Sequence, residues 1–517
     1  MSALAGVEAS RNSAAPASAF RGAAAVFAAS LTLFALVALL FGLPGPDGNA
    51  AETYDGISRL SHTFTYAISR TPGQPFLDYC NFVFWSLGGD LAVQTWFVLA
   101  SASGVTALYL LLTDLRAASP LAGACALALQ PMFLGHVGGV GDFAASLSFL
   151  LVALWAAARG WEVAAGIALA MAVGCRLNLC VYLVSVALLL WQARRRSGDS
   201  PRIAFLRICR AGALAGGLSL LQFAPLFAFY GKALLQNFAW QTWKYHISAT
   251  AYRLFVGYGA PFWALAAALA VWLVAKRSRA LAGRRTVGAA AVWLMLAGLV
   301  TLFRVPGKSE YALPFLAGAI LFFQAYAPKS WNYALLLSSV LAGLVVASPY
   351  DNQQDVYGWK LGEGWYGRLT QQARDNRLQM ATLRKFLQNA PPRTVLVARC
   401  SWTRDQAQAG GLQAIANYRG IGGLTAYTFA GLGEDRVAVH FQEPKLIELL
   451  SGERGSATEP PVSVVFDRNL LGLLRRWAHF DPERYGQTVA LPSHPFAELW
   501  SHAGESNART AGNSDGR

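Results

Sequence analysis

Charge is scarce in this sequence. Only 14% of the 517 residues are Asp, Glu, Lys or Arg, against 55% hydrophobic residues. A soluble globular domain carries about 25% charge, so that class is excluded. Acids are scarcer than bases, 28 against 43, which leaves a formal net charge of +15. In a soluble chain that excess would point to nucleic acid. Here the basic residues sit mostly between apolar runs, where they report membrane orientation, and no nucleic-acid partner is expected. Cysteine is sparse too: the six at 80, 125, 175, 180, 209 and 400 form no CxxC and pair with no nearby His. Neither a zinc site nor a disulfide framework is indicated, and most of them read as small buried apolar residues. No internal repeat of the kind that marks an inverted-repeat transporter is visible.

What the sequence has in abundance is apolar runs of roughly span length. They fall at 22–43, 91–112, 119–138, 143–158, 162–175, 177–192, 211–230, 257–275, 286–303, 311–326 and 332–348. That pattern predicts a polytopic α-helical membrane protein of about eleven transmembrane helices. The N-terminal arginines Arg11 and Arg21 before the first run resemble the start of a signal peptide, but the run is long enough to be an uncleaved first span. Arg176 divides 162–192 into two short runs, which form either two crossings or one tilted span. The most basic connections, 193–210 and 276–285, should lie in the cytoplasm together with the 1–21 tail, and that parity favours two crossings and eleven spans over ten. The 44–90 loop, GHVGGVGD at 135–142, the 231–256 loop and RVPGKSEY at 304–311 then face the extracytoplasmic side, where the chain beyond residue 349 also lies.

From 350 to 500 the charge density is ordinary and acids and bases nearly cancel, so the membrane part at 22–349 holds the net charge. TVLVARC, SVVFD and TVALP read as short strands, and RLQMATLRKFLQ and NLLGLLRRWAHF as amphipathic helices. A soluble extracytoplasmic α/β domain is expected there, followed by a disordered tail at 501–517.

Three polar clusters fall on the extracytoplasmic side of this topology. In the first loop, Asp55 and Arg59 are spaced i, i+4 and would share one face of a helix lying on the bilayer. Asp142 begins the fourth run, where a first-turn carboxylate also serves to stabilise a helix start. Arg304, Lys308 and Glu310 form the third cluster, in a place where interfacial anchors are common. Carboxylates accept protons and Arg and Lys hold phosphate, a combination that fits group transfer from a lipid phosphate. Arg176, between two short apolar helices, is either functional or a snorkelling interfacial arginine.

The acidic loop residue Asp55, the element SRTPGQPF around Arg70, the sequence GGVGD at the head of the fourth span, the arginine of GCRLNL and the segment KSEYALPFLAGAIL together resemble the GT-C superfamily of integral membrane glycosyltransferases. The likeness is to the protein O-mannosyltransferase and aminoarabinose transferase branch; the WWDYG-like element of oligosaccharyltransferases is missing. It implies inverting transfer of one sugar from a polyprenyl-phosphate carrier to a hydroxyl of a lipid, glycan or protein, in a bacterial inner membrane. On that reading Asp55 is the general base, and Arg59, Arg70, Arg176, Arg304, Lys308 and Glu310 line the substrate site. Asp142 either orients the acceptor or holds a divalent cation with Asp55. The competing class is a transporter or flippase of a lipid-linked precursor.

Overall fold

The computed structural model describes residues 2–41, 60, 73–137, 141–231, 243–275, 284–306, 309–351, 356–363, 366 and 388, and the strands beyond residue 390 named below. It divides into two units: Met1–Gly45 with Ile68–Thr370, and Pro46–Ala67 with Gln371–Arg517.

The first unit is helical. Its helices are α1 (Ser2–Phe41), α2 (Pro75–Asp114), α3 (Pro120–Ala128), α4 (Pro131–Leu134), α5 (Asp142–Ala158), α6 (Glu162–Cys175), α7 (Leu183–Arg196), α8 (Pro201–Tyr230), α9 (Trp243–Ala275), α10 (Arg285–Arg304), α11 (Leu313–Tyr326) and α12 (Lys329–Leu344). Among the described residues, six helical segments are long and apolar enough to cross a membrane: Phe20–Leu40, Leu91–Asp114, Leu177–Arg196, Pro201–Ala228, His246–Ala275 and Arg285–Arg304. The chain is a polytopic helical membrane protein. Other expected spans are shorter as helices. The run at 119–138 breaks at Gln130, because Pro131 disfavours a helical conformation in the residue before it and starts α4 instead.

Two breaks matter for the site. Gly88 and Gly89 leave helical geometry inside α2, Gly89 at φ +60, a conformation open to glycine without steric cost. Phe84 and Trp96, which would be about 18 Å apart along a straight helix, stack with ring centroids at 5.3 Å. The segment from Pro75 therefore folds back on the span that begins at Leu91. It is a helix where the sequence suggested only part of a long loop. The second break is Arg176, whose extended backbone (φ −152, ψ 111) ends α6 before a 3-10 turn at Leu177–Tyr182.

Ion pairs order the helix ends. Arg194, at the end of α7, pairs with Glu162 at the start of α6, so these helices run antiparallel and the chain reverses at Arg176. Arg207 of α8 joins them, 3.4 Å from Glu162 and 3.3 Å from Asp199. Arg159 meets Asp114 at 2.5 Å, and Arg284 donates to the carbonyl of Arg116 at 3.0 Å. One end of the bundle thus gathers the ends of α2, α5 and α7 with the starts of α6, α8 and α10. The start of α5, the end of α6 and the end of α10 lie at the opposite end.

After α12, strands β1 (Val345–Asp351) and β2 (Val356–Glu363) pair antiparallel. Tyr366 follows, and its hydroxyl donates to the carbonyl of Leu129 while its ring fills the slot left open by Gly343. Burial pushes this phenol up to about 12, so it remains a donor at physiological pH.

The second unit contains a seven-stranded mixed sheet. Its strands are β3 (Thr394–Ala398), β4 (Leu412–Ile415), β5 (Ala426–Phe429), β6 (Arg436–His440), β7 (Ser463–Asp467), β8 (Thr488–Ala490) and β9 (Ala497–Ser501), in the order β4-β5-β6-β3-β7-β9-β8. The central β6-β3-β7 pairings are parallel and the outer ones antiparallel. Apart from Gln388, the two amphipathic helices expected from RLQMATLRKFLQ and NLLGLLRRWAHF lie outside the described residues.

Candidate functional site

At the end of the bundle away from the Glu162 network, four short pieces of chain converge. Gln74 precedes Pro75, which occupies the first position of α2. Asp142 is the first residue of α5, after an extended Gly141. Arg176 sits in the break after α6, and Glu310 and Tyr311 lie in a 3-10 turn at Ser309–Ala312 between α10 and α11. In each case a helix terminus turns a polar side chain inward.

Asp142 Oδ2 accepts from Gln74 Nε2 at 2.7 Å and lies 3.2 Å from Arg176 Nε. The carboxylate is 2% exposed and the Arg176 side chain 9%, so this is a buried pair. The guanidinium lies 3.8 Å from the Phe143 ring centroid and 4.4 Å from that of Tyr311. Those two rings meet edge-on at 5.3 Å. Desolvating a guanidinium costs several kcal/mol, which an ion pair with cation–π contacts is suited to offset. Arg176 is therefore not a snorkelling anchor. Its Nη1 is buried without a hydrogen-bond partner, and an orphaned guanidinium nitrogen is a ready donor to an anionic or hydroxyl oxygen.

A second buried pair stands beside the first. His136 Nε2 is 3.1 Å from Glu310 Oε1, with the side chains 3% and 9% exposed. The His136 ring lies 5.2 Å from that of Phe143. Hydrogen bonds hold the surrounding turns: Gln130 Nε2 to the carbonyl of Gly257 at 2.9 Å, and the Tyr258 hydroxyl to that of Ala312 at 2.5 Å.

Of the residues expected from the sequence, the structure thus brings together Asp142, Arg176 and Glu310. Arg304 ends α10 with an exposed side chain. Asp55, Arg59, Arg70 and Lys308 lie outside the described residues. Gln74, His136, Phe143 and Tyr311 were not singled out as site residues, although Gln74, His136 and Tyr311 sit inside the motifs named above and Phe143 begins the 143–158 apolar run. Among the described residues no group of three or more His, Cys, Asp or Glu is placed to hold a metal ion; the pairing of Asp142 with Asp55 around a cation involves a residue outside them.

No protein-family model and no curated protein matches this chain. A solved structure does. ArnT from Cupriavidus metallidurans bound to undecaprenyl phosphate superposes with a TM-score of 0.50 over 92% of this chain and 97% of that one, at 12% identity. The chain shares the fold of that protein. The apo structure of the same ArnT covers 93% of this chain and 98% of its own, at 13% identity and a TM-score of 0.47. At such identity the likeness is one of fold, so the chemistry of this chain rests on its own side chains.

Proposed function

We propose that the protein is an inverting glycosyltransferase that moves one sugar from a polyprenyl-phosphate carrier to an acceptor hydroxyl at the extracytoplasmic face of the membrane. The observation that carries this reading is the buried Asp142–Arg176 pair, held at the end of a GT-C bundle opposite its arginine-rich end. Arginine-rich ends stay cytoplasmic, so the pair faces outward. The ArnT relative supports the same donor class, because that protein is described bound to undecaprenyl phosphate.

In the proposed reaction the acceptor oxygen attacks C1 of the sugar, and the Asp55 carboxylate takes the hydroxyl proton. The C1–O bond to phosphate breaks as the new bond forms, and its electron pair leaves with the lipid phosphate. That leaving group needs positive charge rather than a proton. Arg176 supplies a preorganised donor through Nη1, and Arg59, Arg70, Arg304 and Lys308 are the further cations of the sequence motifs. Asp142, already accepting from Gln74 and approached by Arg176, orients the site and leaves proton removal to Asp55.

The test is to incubate purified protein with a panel of polyprenyl-phosphate sugars and an envelope-lipid acceptor fraction. Release of free polyprenyl phosphate from one of them is the expected result. Movement of an intact lipid-linked sugar across a vesicle bilayer, with no release, would establish a transporter instead.

A further inference from the structure

We propose that His136 and Glu310 are a positioning pair that clamps the two turns carrying the site, and so sets the Arg176 guanidinium for the donor phosphate. This rests on the glycosyltransferase reading for the identity of the ligand, but not for the geometry. His136 lies six residues before Asp142, and Glu310 immediately precedes Tyr311. Arg176 is held between Phe143, which follows Asp142, and Tyr311. The spacing of those two rings is therefore the spacing of two chain segments far apart in sequence. The first carries the glycine-rich sequence GHVGGVGD, and the second is a single 3-10 turn.

The contact joining them is His136 Nε2 to Glu310 Oε1 at 3.1 Å, in a place where both side chains are more than nine-tenths buried. His136 Nε2 makes no regular hydrogen bond, so what joins the two groups in this apolar interior is the close polar contact itself. The His136 ring also packs against Phe143, at 5.2 Å between centroids, so the pair braces the same ring that stacks on Arg176. The pair acts through Phe143 and Tyr311 on the guanidinium. Small misplacements of a binding group cost up to about 100-fold in rate, which gives such a brace functional weight.

The experiment uses the full chain in lipid nanodiscs and sugar-free polyprenyl phosphate as the probe, with binding read by native mass spectrometry. His136→Ala and Glu310→Ala should weaken binding by about tenfold or more, within the range that misplacement produces. His136→Gln, whose amide can donate to the Glu310 carboxylate, should bring it back to near wild type. Wild-type affinity in His136→Ala, or equal losses in His136→Ala and His136→Gln, would overturn the proposal while leaving the donor class intact. If the wild type binds no polyprenyl phosphate, the donor reading fails and the brace is judged by site-resolved maleimide labelling of Cys175. That thiol is fully buried beside Arg176. Labelling in His136→Ala but not in His136→Gln supports the brace, and equal protection in both overturns it.

Discussion

At the scale of single residues, the Asp142–Arg176 pair makes a quantitative prediction. Asp142→Ala strands a guanidinium in a site where its side chain is 9% exposed. Removing one partner of a buried pair costs about 3–5 kcal/mol, which thermal unfolding in detergent will show as a clear drop in Tm. Asp142→Ala combined with Arg176→Met should be more stable than Asp142→Ala alone, because no charge is stranded; additive losses would mean that the pair is not coupled. Asp142, Arg176 and Glu310 were legible in the sequence because a charge next to an apolar run stands out. Gln74 and His136 were not. A glutamine between prolines and a histidine in a glycine run carry no periodicity, and their partners lie 68 residues away for Gln74 and in the turn at Ser309–Ala312 for His136.

At the scale of elements, the site depends on where helices stop. Helix α6 ends at Cys175 close against the start of α2, and Gly174 makes that approach possible. A β-carbon there would overlap Gln222 Oε1 and lie 2.6 Å from Cβ of Phe76. Gly174→Leu should therefore destabilise the fold by about 1–3 kcal/mol through overpacking, and should weaken polyprenyl-phosphate binding by displacing Arg176. An unchanged Tm would show that this contact is not tight. The division at Arg176 was readable, since an arginine between apolar runs marks a boundary. The helix opening at Pro75 was not, because PFLDYCNFVFWSL is too short to span and lies in a segment dominated by its polar residues. What makes it a helix is its packing: Phe76 edge-on to Phe149 at 5.3 Å, and Phe84 stacked on Trp96.

At the scale of the whole molecule, asymmetry carries the functional argument. Composition alone placed the chain in a membrane, and the distribution of arginine gave the bundle two unlike ends. The structure joins one end with Glu162, Arg194 and Arg207 and sets the Asp142–Arg176 pair at the other. Helix lengths were less legible than helix positions. A hydropathy run ignores proline and backbone breaks, so the run at 119–138 became two short helices, α3 and α4. The central claim is that sugar transfer from a lipid phosphate is driven by a carboxylate base in the first loop. The most direct measurement is release of free polyprenyl phosphate by purified wild type and Asp55→Asn, reconstituted with donor and acceptor, with correct insertion confirmed for both. The account predicts acceptor-dependent release by the wild type and loss of at least about 100-fold in the variant, the scale of a missing general base. Equal release by the two proteins would contradict it.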